Sequence, residues 1–143
     1  MHTGIEFSRK LLAAYNEMCK PLCQELNLPQ TAFDILMFLA NNPEYKNARD
    51  IVEIRKIKAN LVSVNVDRLV KEGYLEREDV ADDRRKTQLL CTLKAQPVVE
   101  RGRTVQKAFT EKLFENTDEQ TRQLFCSIMK NMEKNLDDIL EKR

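Results

Sequence analysis

The stretch that most constrains the fold is "KANLVSVNVDRLVKEGYLERED", residues 58–79, because its hydrophobic period changes partway through. Val62, Val66, Leu69 and Val70 recur at steps of three and four, which places them on one face of a helix. Val62, Val64 and Val66 also alternate as a strand would. The continuation through "DRLVKEG", ending on a glycine suited to a helix C-terminus, favours helix. Beyond Gly73 the pattern is that of a hairpin: one strand over Tyr74–Glu78, a charged loop, and a return strand over Thr87–Leu93. No Asn-Gly pair marks a tight turn, so a long loop is predicted.

The segments on either side are helical. From Ile5 to Leu26, the residues Leu11, Leu12, Tyr15, Met18, Leu22 and Leu26 form a stripe. Pro21 lies inside it and predicts a kink or interruption near Lys20. Pro29 suits the first turn of a second helix through "QTAFDILMFLAN", which "NNPEY" ends. A short helix follows near Ala48–Arg55. After the hairpin, Pro97 opens a helix to about Phe114, and Thr117 with Gln120 predicts a capping box for a last helix. That helix carries Leu124, Phe125, Ile128, Met132, Leu136 and Ile139. The order is one long helix, three shorter ones, a hairpin and two long helices. This is the plan of a winged helix-turn-helix with helices added at each end.

Composition narrows the alternatives. Three glycines and four prolines in 143 residues leave few turns for a sandwich or barrel. Charged residues make up 33% of the chain yet nearly cancel, at net +1, so only a local basic face is available for an anionic partner. No uncharged apolar run approaches the ~18 residues of a membrane span. "MHTGIEFSRK" lacks the apolar core of a signal peptide, and a cytoplasmic protein without membrane contact is expected.

"IRKIKANLVSVN", residues 54–65, has only positive charges: Arg55, Lys56 and Lys58. They precede or begin the helix, and the short polar residues Asn60, Ser63 and Asn65 follow. A helix that reads DNA needs this arrangement. Its first turns meet base edges in the major groove while flanking cations hold phosphates. A solvated helix start has the same composition, so the segment alone leaves both readings open.

The hairpin shifts the balance between them. "VDRLVKEGYLERE" followed by "DDRRKTQLLCT" resembles the MarR family of bacterial winged-helix transcription regulators. The first piece is similar to the end of that family's recognition helix and the start of its wing. The second is similar to its Asp-Arg-Arg wing pattern. Cys91-Thr92 stands where the family has a Leu-Thr pair, and "TLKAQP" lacks the family's following glycine. The resemblance implies a mainly α fold with a small β-hairpin wing, flanked by N- and C-terminal dimerisation helices. It implies a single domain over 1–143, with a DNA-binding lobe at about 29–96 and dimerisation helices at about 5–26 and 97–142. The function implied is that of a sequence-specific regulator of transcription, a ligand-responsive repressor. It would bind a pseudo-palindromic double-stranded operator as a homodimer, with no cofactor and with a small-molecule effector of unknown identity. Lys56, Lys58, Asn60, Leu61, Ser63, Val64 and Arg68 would face DNA from the helix. Arg85 would enter a minor groove from the wing, oriented by Asp83, with Arg84 and Lys86 on phosphate.

Other chemistries find little in the chain. The only histidine is His2, no glycine-rich phosphate loop exists, and no cysteine pair has zinc-knuckle spacing, so neither a catalytic site nor a metal centre is expected. Cys19, Cys23, Cys91 and Cys126 are expected to be free thiols packed as small hydrophobes. The resemblance keeps a thiol-based redox sensor as an alternative. A helical protein-interaction module without DNA binding is the other rival.

Overall fold

The computed structural model of the protein describes residues 4–80 and 83–141, with backbone alone for 83–86. It divides into two compact units, Met1–Lys107 and Ala108–Arg143. The helices are α1 (Ile5–Leu26), α2 (Gln30–Asn41), α3 (Ala48–Arg55), α4 (Ala59–Lys71), α5 (Ala95–Leu113) and α6 (Glu119–Glu141). A two-stranded antiparallel hairpin, β1 (Leu75–Val80) and β2 (Asp83–Cys91), lies between α4 and α5.

The first unit is built around α2. Every residue from Ala32 to Leu39 except Asp34 is buried, so this helix is covered on nearly all sides. Such a helix belongs in the interior. Its neighbours contribute Cys19, Leu22 and Cys23 from α1, Ile51 from α3, Val62, Val66 and Leu69 from α4, and Ala95, Val98 and Val99 from α5. The α5 backbone comes close to α2 at Gly102. A Cβ there would lie 2.8 Å from Met37 Cε and 3.1 Å from Phe33 Cζ. Both neighbours are buried, which leaves them little room to yield.

α1 runs unbroken from Ile5 to Leu26 with Pro21 inside it, against the expected interruption. The proline removes one hydrogen bond, but Cys19, Leu22 and Cys23 on either side of it are anchored in the core and hold the helix across the gap. Asn27 then turns left-handed at φ 53°, and Leu28 N–H donates to Cys23 O at 3.0 Å. α5 begins two residues before Pro97, which sits in its first turn.

α4 ends as its sequence predicts. Gly73 takes φ +86°, and Tyr74 N–H donates to Leu69 O at 2.9 Å. The hairpin departs from expectation. Its strands pair from Leu75↔Cys91 up to Asp79↔Thr87 and close with Val80↔Asp83, leaving two positions between the strands rather than a long loop. Those positions, 81 and 82, lie outside the described residues. The surplus length is taken up as a register irregularity in β2 opposite Asp79/Val80. A ribbon wet on both faces can pair through backbone hydrogen bonds alone, so apolar alternation did not mark its full extent. The ribbon's base is fixed to the lobe. Leu89 N–H donates to Lys46 O at 2.6 Å in the α2–α3 connection, and Thr92 Oγ1 donates to Gly73 O at 2.5 Å.

In the second unit the cap of α6 is Asp118, not the Thr117–Gln120 box. Asp118 Oδ1 accepts from Thr121 N–H at 2.7 Å, and these bonds hold its carboxyl below the usual carboxylate range. Thr117 Oγ1 instead donates to Phe114 O at 2.5 Å and accepts from the Arg122 side chain of α6 at 3.2 Å, rather than from a backbone N–H of that helix. α6 has no buried residue: Leu124, Phe125, Ile128, Met132, Leu136 and Ile139 are all exposed. Among the described residues, no helix is long and apolar enough to cross a membrane.

The contact at Gly102 gives a direct test. Gly102→Ala would improve helix propensity at an α5 position yet overpack α2, so the net effect expected is destabilisation of about 1–3 kcal/mol, read from urea unfolding. A stabilised variant would mean that Met37 moves aside freely.

Candidate nucleic-acid interface

α3 and α4 are joined by Lys56-Ile57-Lys58, with Lys56 in the left-handed region at φ 59°. Half-buried Ile57 anchors the turn, while Lys56 and Lys58 stay exposed beside it. Val62, Val66 and Leu69 point α4's apolar stripe into the core. The opposite face therefore carries Asn60, Leu61, Ser63, Val64 and Asp67 into solvent. Val64 is 66% exposed and Leu61 45%, on a helix whose inner Val62 is 1% exposed. Asn65 is buried and donates from Nδ2 to Leu61 O at 2.8 Å, so it is a satisfied core amide rather than part of the open face.

Ion pairing sorts the cations. Arg68 donates from Nη2 to Asn27 O at 2.7 Å and from Nε to Glu72 Oε2 at 3.4 Å, which ties α4 to the α1–α2 turn. Arg49 pairs with Glu53 at 2.8 Å, and Arg55 lies 3.7 Å from Asp34 Oδ2. Arg77 on β1 is paired with Asp67 on α4. Such exposed pairs contribute little stability, but this one offsets the acid on α4's open face. Among the described residues, Lys56 and Lys58 make no ion pair. They are the cations left over at the start of α4. Sequence reasoning missed the engagement of Arg68 and the Asp67–Arg77 pair, because both depend on where a turn returns the chain. The Gly73 turn between Asp67 and Arg77 was the available hint.

Of the wing residues Asp83, Arg84, Arg85 and Lys86, the backbone lies in β2, and their side chains lie outside what the structure describes. Residues 84–86 occupy the irregular stretch between the pairs Asp79↔Thr87 and Val80↔Asp83.

A small cavity of about 180 Å³ lies between α1, α2, α3 and α5, lined in part by Tyr15, Asp34, Met37, Asn41, Arg55 and Gln106. Gln106 bridges two of these residues. It donates to Tyr15 OH at 3.0 Å and accepts from Asn41 Nδ2 at 3.1 Å. Burial pushes the Tyr15 phenol above its ordinary value. Among the described residues, no group of three or more His, Cys, Asp or Glu side chains could hold a metal ion.

The cysteines divide into two kinds. Cys19 and Cys23 are buried, as expected. Cys91 and Cys126 are exposed, against expectation: Cys91 ends the solvated ribbon, and Cys126 lies on a helix that buries nothing. Burial raises the thiols of Cys19 and Cys23, the latter to about 11.

The fold and the outward face of α4 are together those of a winged helix-turn-helix with helices added at each end. Residues 26–86, somewhat under half of the chain, match the model described as the MarR family. The whole chain has the fold of that family's solved structures. A MarR family transcriptional regulator from Listeria monocytogenes, complexed with 26mer DNA, superposes with TM-score 0.87 at 18% identity, covering 96% of this chain and 91% of that one. A MarR transcriptional regulator from Methanosarcina mazei Go1 gives 0.81 at 20% identity, covering 94% and 96%. The structure of MarR itself gives 0.81 at 17% identity, covering 100% and 99%. Among curated proteins, none matches the sequence.

The thiol environments are separable by labelling. Burial raises the Cys91 thiol as well, so access rather than thiolate fraction separates the three: at pH 8 iodoacetamide should modify exposed Cys91 in the folded protein and buried Cys19 and Cys23 only after unfolding, as read by peptide mass mapping. Rapid native-state labelling of Cys19 or Cys23 would contradict the packing described.

Proposed function

We propose that this chain is a sequence-specific double-stranded DNA-binding regulator that works as a homodimer and as a ligand-responsive repressor. The observation that carries this reading is the outward face of α4. Asn60 and Ser63 can donate to and accept from base edges there, and Leu61 and Val64 can meet thymine methyl groups. Lys56 and Lys58 flank that face for phosphate. The Listeria relative's complex with DNA supports the same use of the fold. In this reading the wing follows an adjacent minor groove, with Arg85 inserted, Asp83 orienting it, and Arg84 and Lys86 on the backbone. Arg68 acts chiefly by holding α4 in place.

The dimer rests on the exposed apolar faces of the end helices: Ile5, Phe7, Leu12 and Met18 on α1, and the whole stripe of α6. Surfaces of this kind are expected to be covered. The domain plan follows, with a DNA lobe at about 29–96 between dimerisation helices at about 5–26 and 97–142. A two-fold axis would set the two α4 helices about 34 Å apart, one turn of DNA. A small-molecule effector would sit where end helices meet the lobe and alter that spacing.

Selection of bound sequences from a random duplex library tests the central statement. An enriched pseudo-palindrome is expected. Asn60→Ala should then cost ~1–3 kcal/mol on the selected site and relax preference there. Lys58→Ala should weaken all duplexes alike and reduce the salt slope by about one per half-site. Arg85→Ala should weaken the selected site with the fold intact, as read by titration and circular dichroism. Light scattering should give a dimer, and a 16.7 kDa particle at micromolar concentration would remove the symmetric reading. A dimer that binds no duplex at low salt would leave a helical protein-interaction module.

A further inference from the structure

The acid of the first unit's interior bears on DNA affinity. Asp34 is the one residue from Ala32 to Leu39 on α2 that is not buried, and its side chain is 17% exposed. Gln30 Nε2 donates to its Oδ1 at 2.9 Å, while Oδ2 faces Arg55 Nη2 at 3.7 Å. That second contact is a charge pairing too long for a hydrogen bond. Arg55 is the last residue of α3, and its side chain is 37% exposed. It lines a cleft of about 390 Å³ together with Asp34, Lys56, Lys58 and Leu61. Three cations thus converge on one opening with a single carboxylate, beside the turn that leads into α4.

We propose that Asp34 is an internal competitor for the DNA backbone: its carboxylate withholds Arg55 from phosphate, and protonation of Asp34 releases it. The idea rests on the DNA-binding reading above. Because Gln30 holds the other oxygen, Asp34 can stay in place when Arg55 leaves. The groups around Asp34 leave it as the titrating member. α1 presents Tyr15, Cys19 and Cys23, which burial keeps neutral below pH 8. α2 presents Gln30, and α5 presents Gln106 on the cavity side. α3 and the turn present Arg55, Lys56 and Lys58. Burial raises the Asp34 carboxyl, outweighing the lowering by Gln30 and Arg55. Nearby phosphates favour the protonated acid further, so DNA binding takes up a proton and affinity rises as pH falls through the Asp34 titration.

The test is titration of the selected duplex at fixed salt at pH 7.5 and at an acid pH below the Asp34 titration, with circular dichroism checking the fold at both. The wild type should bind several-fold tighter at the acid pH, with the salt slope steeper by about 0.9 for each Arg55 that engages phosphate. Asp34→Asn should bind at pH 7.5 as the wild type does at the acid pH, and should lose the pH dependence. Arg55→Gln should match the wild type at pH 7.5 and lack the gain at the acid pH, which keeps the test available should Asp34→Asn misfold. A pH dependence retained in Asp34→Asn, or Arg55→Gln weakened equally at both pH values, overturns the proposal while leaving DNA binding intact. A wild type that binds no duplex at low salt at either pH defeats the DNA-binding reading, and this inference with it.

Discussion

The structure depends on the burial of α2. A helix covered on nearly every side must be approached by four others, and α1, α3, α4 and α5 each bring a short apolar set to meet it. Burial of side chains such as Phe33, Ile35 and Leu36 is worth roughly 1.5–3 kcal/mol each before entropic costs, which is enough to fix the angles of the surrounding helices. α4 is one of them. With Val62, Val66 and Leu69 committed inward, the choice of which residues face out is no longer free. The close approach at Gly102 sets the last helix of the group by the same constraint.

Electrostatics then selects among the exposed groups. The chain is nearly neutral, so a basic surface can arise only where acids are absent or already paired. Around α4, most of the arginines are engaged: Arg68 with a backbone carbonyl and Glu72, Arg77 with Asp67, and Arg49 with Glu53. Lys56 and Lys58 stand apart from these pairs. Their long, flexible stems suit contacts to a phosphate backbone, which ask for charge more than for fixed geometry.

Much of this was legible in the sequence where one kind of signal ruled. The 48–55 helix, the inward stripe of α4 and the Gly73 terminus follow from spacing and backbone chemistry, and they stand where expected. The failures occur where two local signals compete or where a distant partner decides. At Pro21 the helix was not interrupted, because the adjacent α1 residues are packed in the core. At residues 117–118 two adjacent cap formers competed, and the end of α5 claimed the threonine. In the ribbon, strand pairing continued through residues with no apolar alternation to reveal it. Cys91 and Cys126 followed their elements into solvent rather than their residue type into the core. Arg68 was readable as a cation of the right helix, but its bond to Asn27, 41 residues earlier, was not.

The hydrogen bond from Leu89 to Lys46 gives the ribbon a fulcrum. Because Leu89 pairs with Arg77 and Asp83 with Val80, the ribbon from Leu89 to Asp83 spans three ladder steps, roughly 10 Å at ~3.3 Å per residue. A rotation of about 5° at the base would carry the far end by roughly 1 Å over that length. The α2–α3 connection is therefore the short arm of a lever whose long arm is the charged tip. Small repacking around Tyr45 and Lys46, far from any charged tip residue, would be passed on as a displacement large enough to stretch a hydrogen bond beyond its range.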